Sequence, residues 1–443
     1  MTAGVLDRRG RKGLLNKISA RILILLRAEN GFGQENHILV GLIAVLGAIG
    51  ISMVLSTSFV PSLTSGHSAF SLFERQMLWV AVGVVAFAVG TRMDLNFLLK
   101  YRGLFILLCG FALVAVLIPH VGINVSGSSR WVGFGILRIQ PSELTKLAIA
   151  IFAAGVATTR ADEISKFNKV LQPVLLATGL SAGLVLIEPD MGTAMVIGAT
   201  AIGVLFVAGV RMRHLIPTLV AVTLFGVYEA LAKTYRRERM LSFLHPWRDR
   251  MTYAYQEVQS LVAFATGHVT GAGPGAGQAK WGFLPNPQTD FIFSVIGQEL
   301  GAIGALIVLA LLALMIFYIF RISSRASTRF GALLCVGIGS WLAAQVVLNV
   351  GAVIGLLPVT GVPLPLISAG GSSLVVILFA LGLVNSVAKD ISPMTRSKGK
   401  PGEPIFSLPG RVGSGRLASK WHNSSIRDSI EGIRDKIGAF LGR

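Results

Sequence analysis

The chain has 443 residues, of which 53% are hydrophobic and only 14% charged, and its mean hydropathy is +0.69. Soluble domains carry about 25% charged residues, so this composition excludes an ordinary globular protein and indicates an all-α polytopic membrane protein. The formal charge of +19 does not point to nucleic acid. The basic residues concentrate in the two tails and in alternate short loops, which is the positive-inside pattern.

Residues 1–37 form a basic N-terminal tail. Within it, LLNKISARILILLRA, from Leu14, has one apolar and one basic face. Such a segment either lies on the inner leaflet, where each surface cation contributes about 1 kcal/mol against anionic lipid, or is a solvated topogenic tail. The basic start is too long and polar for a cleavable signal peptide.

A span needs about 20 apolar residues. Ten are expected, near 38–58, 76–91, 101–119, 143–159, 171–187, 191–210, 214–233, 291–319, 330–356 and 372–388. Together they make a membrane domain over 38–390. Loops 92–100, 160–170 and 320–329, and the turn near 211, carry the basic residues, so they and both tails are assigned to the cytoplasm. Loop 234–290 is the large external loop, and Trp247, Tyr253, Tyr255 and the apolar run LVAFA suggest a folded lid. Residues 391–443 read as a basic, flexible cytoplasmic extension whose end, 425–441, is weakly helical. Cys109 and Cys335 fall inside apolar runs and read as reduced packing residues. The seven histidines show no ligand spacing.

Five stretches carry the chemistry. In GSSRWVGFGILRIQPSELTKL (127–147), Ser142 is the expected N-cap, and Glu143 and Lys146 share a helix face. That pair is either a structural ion pair or the charged wall of a polar cavity. Trp131, beside Arg130, is either an interfacial anchor or a surface on which a sugar ring stacks. In LIEPDMGTA (186–194), Asp190 is a good N-cap, but capping does not explain Glu188 beside it.

GHVTGAGPGAGQAK (267–280) lacks the Lys-Ser/Thr ending and the preceding strand of a phosphate loop. It is expected to be a flexible external loop that presents Lys280 as a point charge to phosphate. In QAKWGFLPNPQTDFIFSVIGQELG (278–301), a polar loop runs straight into an apolar helix. Thr289 or Asp290 either caps that helix or belongs to a polar cavity. Glu299 would lie about 13 Å deeper by helix rise. A bare cap needs no second intramembrane carboxylate, which favours the cavity. In NVGAVIGLLPVTGVPLPLISAGGSS (349–373), Pro and Gly break the membrane pattern, and Ser368, Ser372 and Ser373 can hydrogen-bond there.

The blocks RWVGFG…QPSELTKLA, EPDMGTA, YQEVQSL, LPNPQTDFIFSVIGQELG and GLLPVTGVPLPLISAGGSS, in this order within residues of about 38 to 390, resemble the SEDS family of shape, elongation, division and sporulation proteins, the family of FtsW and RodA. EPDMGTA and QPSELTK are closer to the FtsW, or division, branch. The sequence departs from the family pattern at Ala369, where Tyr is frequent, and at Gln298, where Glu is common. The resemblance implies a ten-span fold and a peptidoglycan glycosyltransferase that polymerises lipid II into glycan strands from an undecaprenyl pyrophosphate donor. It also implies a place in the bacterial plasma membrane at the division septum. A class B penicillin-binding protein (the transpeptidase) and divisome proteins would be its partners. Carried over by position, Asp290 matches the family's essential aspartate, Trp131 its external Trp, and Glu143 and Lys146 its paired charges.

On this reading Asp290 is the general base for the acceptor hydroxyl. Arg130, Lys146, Lys280 or a divalent cation (Mg²⁺ or Mn²⁺) stabilises the diphosphate. Trp131, Glu143, Glu188, Asp190, Glu299 and Ser372 complete the substrate-binding set. The alternatives are a lipid II flippase, a RodA-like elongation polymerase and a non-catalytic scaffold.

Overall fold

Apolar runs of span length can satisfy their backbone in lipid only as helices, and the structure consists mainly of such helices. The computed structural model describes residues 34–391, apart from 65–67, 69, 120, 126–127, 135–136, 233–236, 239–242, 244, 249 and 253. The expectations for residues 14–28 and 425–441, and for Tyr253, lie outside the described residues.

In chain order the helices are α1 (Gln34–Thr64), α2 (Ser71–Arg92), α3 (Leu95–Leu117), α4 (Pro141–Thr159), α5 (Gln172–Ile187), α6 (Met191–Ala208), α7 (Met212–Ala232), α8 (Tyr255–Gly267), α9 (Ile292–Arg325), α10 (Arg329–Val353) and α11 (Gly371–Lys389). Among the described residues, nine are long and apolar enough to span a membrane. The tenth expected span corresponds to α7, whose described apolar part, Met212–Leu224, is shorter. Helix α8 is additional. It lies inside the expected lid, is too short to span, and packs against α9.

Local chemistry sets several helix ends. The Asp94, Asp190 and Thr328 side chains accept from the backbone N–H of Asn96, Thr193 and Gly331, respectively. Helix α6 stops at Gly209, whose φ of +95° ends the helical path. Helices α4, α10 and α11 are the most enclosed, whereas α2 and α3 turn most of their surface outward. Helix α2 crosses α11 closely because glycines meet there: a Cβ on Gly90 would lie 2.5 Å from the Phe379 carbonyl oxygen.

Contacts gather the basic loops at one end of the bundle. Arg102 donates to Thr159, and Arg160 to the Lys169 carbonyl. Arg329 donates to the Ala208 carbonyl, and Arg321 and Arg325 both bind Glu35. The opposite end carries a small antiparallel sheet of β1 (Ile123–Val125), β2 (Ser128–Phe134) and β3 (Leu137–Ile139), in that order. Trp131 stands opposite Ile123, and Val132 opposite Ile139. No strand is expected from the sequence, because runs this short inside a Gly-rich loop show little alternation.

Helix α9 is broken. Gly301 has φ +70° and ψ −174°, and the 268–273 segment inserts at the break. The N–H groups of Ala302 and Ile303 donate to the carbonyls of His268 and Val269, and those of Ala272 and Gly273 to the carbonyls of Gln298 and Glu299. This corrects the expectation of a flexible loop over 267–280. The backbone groups freed by the break must be satisfied in a dry environment, and the loop satisfies them.

Candidate active site

The polar end of the bundle concentrates the residues singled out in the sequence. Helix α4 begins with Pro141 at its first turn and Gln140 at the cap position, without a side-chain cap bond. The expectation that Ser142 is the cap is therefore corrected. The proline fixes the start two residues earlier, and Ser142 Oγ is buried with no hydrogen-bond partner. Glu143 and Lys146 face one another, with Lys146 Nζ 2.8 Å from Glu143 Oε1, and both side chains are almost wholly buried. The ammonium also lies 5.3 Å from the centre of the Trp341 ring.

Arg130, on β2, clamps the turn between α5 and α6. Its Nε donates to the Glu188 carbonyl at 2.9 Å and its Nη2 to the Pro189 carbonyl at 2.6 Å. Its Nη1 lies 3.7 Å from Asp190 Oδ2. Asp190 caps α6 through the Thr193 N–H, as its position in the sequence suggests, and also receives Gln140 Nε2 at 3.4 Å. Glu188 is buried, and neither carboxyl oxygen has a hydrogen-bond partner. Burial, with Asp190 adding to it and Arg130 opposing it, pushes this carboxyl up to about 8. Trp131 is half-buried beside the clamp.

Asp290 sits at the seam of two irregular segments. Asn349 Nδ2 donates to the carbonyls of both Asp290 and Val362, each at 2.8 Å. Ser368 Oγ donates to the Thr289 carbonyl at 2.6 Å and accepts from Leu364 N–H, while Ala369 N–H donates to the Gln288 carbonyl. Helix α9 starts at Ile292 with Phe291 at the cap position, so neither Thr289 nor Asp290 occupies that position. Asp290 is half-buried and faces Gly361, where an added Cβ would lie 3.7 Å from Asp290 Oδ2. The same 360–362 segment packs on α6, since a Cβ on Gly192 would lie 2.4 Å from Val362 Cγ2. One short loop therefore brings Asp290 close to the clamped 188–190 turn.

Lys280 and Glu299 are placed differently from the expectation. Lys280 Nζ lies 2.9 Å from Glu299 Oε1 and also donates to Ser56 Oγ and the Gly275 carbonyl. Ser56 Oγ and Gly275 N–H in turn donate to Glu299. The ammonium is engaged by protein acceptors, which corrects its expected presentation to phosphate. Burial is the cause, because a lone cation at that depth would be far costlier than a paired one. Ser372 lies in the first turn of α11, buried, with its Oγ unpartnered.

Sequence reasoning missed Ser56, Trp341, Gln345, Asn349 and the clamp geometry of Arg130. The available signal was the presence of polar side chains inside apolar runs, which is costly in a membrane and so worth explaining. Among the described residues, no three His, Cys, Asp or Glu side chains form a cation site. Beside α4 runs an apolar cavity of about 520 Å³, lined by Leu98, Phe105, Leu144, Leu147, Val376 and Phe379 among others.

A family model for the FtsW/RodA/SpoVE cell cycle proteins matches residues 36–392. The chain is 39% identical over 358 residues to the probable peptidoglycan glycosyltransferase FtsW of Mycobacterium tuberculosis, covering 80% of this chain and 67% of that one. It is 37% identical over 353 residues to stage V sporulation protein E of Bacillus subtilis, covering 80% of this chain and 96% of that one. Among solved structures, it resembles a chain of a peptidoglycan synthase complex with a TM-score of 0.66 and 30% identity, over 80% of this chain and 98% of that one. It also resembles the rod shape determining protein RodA of Thermus thermophilus with a TM-score of 0.60 and 27% identity, over 82% of this chain and 98% of that one.

Proposed function

Because the chain belongs to the FtsW/RodA/SpoVE family of cell cycle proteins, we propose that it is a peptidoglycan glycosyltransferase that polymerises lipid II during division. The observation that carries the mechanism is the placing of Asp290. Its backbone is pinned by Asn349, the neighbouring Thr289 by Ser368, and its carboxylate faces the Gly361 loop. In glycosyl transfer, the acceptor 4-hydroxyl oxygen bonds to the donor sugar C1, and the bond from C1 to the diphosphate oxygen breaks. The hydroxyl proton passes to the Asp290 carboxylate, and the electron pair leaves with the diphosphate. Holding that carboxylate in place ahead of reaction is what makes it useful as a base.

Arg130 and Trp131 flank the approach to the 188–190 turn and bind the saccharide or diphosphate portion. The apolar cavity beside Leu144 holds the polyprenyl chain, whose chemistry its lining matches. Without a three-ligand cluster among the described residues, a divalent cation would enter with the diphosphate, whose oxygens are the ligands it prefers. No step above depends on it. The end gathered by Arg102, Arg160, Arg321 and Arg329 is the cytoplasmic one. Both termini lie on that side, and the protein acts at the septum with a class B penicillin-binding protein.

The test is Asp290→Asn in purified protein supplied with lipid II and its transpeptidase. Polymer output should fall about 10²–10⁴-fold with an unchanged melting temperature. Near-normal output would overturn the assignment, and movement of labelled lipid II across vesicles without polymer would replace it with a flippase.

A further inference from the structure

Helices α4 and α10 run antiparallel in register. A Cβ on Gly337 would lie 2.9 Å from Ala150 Cβ, and one turn along, the Trp341 ring meets Lys146. One turn further, the same register sets Gln345 level with Ser142, beside Glu143. Another turn brings Asn349, which holds the Asp290 carbonyl. Trp341, Gln345 and Asn349 thus form one stripe, about 12 Å long by helix rise, from the buried ion pair to the proposed base.

At its middle, polar atoms of several residues have no hydrogen-bond partner in the protein. They are Trp341 Nε1, both amide ends of Gln345, Ser142 Oγ and Glu143 Oε2. Gln345 and Ser142 are wholly buried, and Glu143 nearly so. Buried polar groups are almost always satisfied, and a site with several donors and acceptors suits ordered water.

We propose that Gln345 is a positioning residue, which binds ordered water against Ser142 and the free oxygen of Glu143 and so fixes the Glu143–Lys146 pair beneath the Asp290 segment. This rests on the glycosyltransferase reading only for its kinetic consequence. A glutamine with no partner at all would be a liability, and an apolar replacement of the same shape would be neutral or stabilising. A glutamine that holds the pair through water would show its loss in turnover, with KM little changed.

Two measurements on the full chain with its transpeptidase test this. A cryo-EM map that shows water should place ordered water within hydrogen-bond reach of both the Gln345 amide and Glu143 Oε2. Gln345→Met should lower kcat about tenfold or more, with KM nearly unchanged, while Gln345→Asn keeps most of the activity. A map showing these side chains in direct contact without water would overturn the proposal. So would wild-type turnover in Gln345→Met, or activity and melting temperature falling together in both variants. Should the wild-type complex make no polymer, the glycosyltransferase reading fails by itself, and the map alone decides the water site.

Discussion

Lys280 Nζ and Glu299 Oε1 lie 2.9 Å apart, both side chains nearly inaccessible, one on the short helical turn Ala279–Phe283 and the other on α9. Ser56 of α1 joins them from a third element. The pair is a rivet rather than an open charged site. Removing one partner should leave an uncompensated buried charge and cost about 3–5 kcal/mol. Lys280→Met should therefore depress the melting temperature in detergent sharply, and adding Glu299→Leu should restore much of it. Equal and additive losses in the two single variants and the double would count against the pairing.

Gly301 takes a left-handed φ at the break in α9, and an added Cβ would lie 2.3 Å from the Val269 carbonyl oxygen. Gly301→Ala should cost about 1–3 kcal/mol from backbone strain alone, and more from that contact. Limited proteolysis should then cut within 268–273, which wild-type protein protects through its bonds to α9. Resistance equal to wild type would show that the inserted loop does not need the break.

Arg130 reaches the Glu188 carbonyl, the Pro189 carbonyl and Asp190 from one planar group. A lysine ammonium is a single point charge and cannot make that fork. Arg130→Lys should lower lipid II turnover about tenfold to a hundredfold, because the 188–190 turn loses its register against β2. Full activity in the lysine variant would mean that charge alone suffices there.

Glu188 carries a carboxyl raised from 4.5 to about 8, first by burial and then by Asp190, with Arg130 opposing. Below pH 4.5 the group is neutral in the folded and unfolded chains alike. As pH rises towards 8, the unfolded chain ionises and the folded one does not, so stability is lost across that window and no further above it. Glu188→Gln should remove this slope. Its melting temperature relative to wild type should rise between pH 5 and pH 8, and a constant difference across that range would contradict it.

The course of the bundle was legible along the chain. All ten apolar runs became helices near the expected places, because lipid leaves a span-length apolar segment few other ways to satisfy its backbone. Asp190 was legible too, since a cap acts within three residues. The start of α4 was less so, because Pro141 fixes it and leaves Ser142 inside the first turn. The three-stranded sheet left almost no trace, being made of runs of three to seven residues.

Composition and order alone therefore determined a polytopic helical protein, its basic end, and the short list of charged and polar residues worth explaining. Only the folded chain decided which of them meet. Lys280 turned to Glu299, Arg130 to the 188–190 turn, and Asn349, 59 positions away, to the carbonyl of Asp290. The reason is physical: helix periodicity and capping act over a few residues and can be read locally. A buried charge or amide instead takes whichever partner the packing of distant helices brings within 3 Å, and no local pattern encodes that choice.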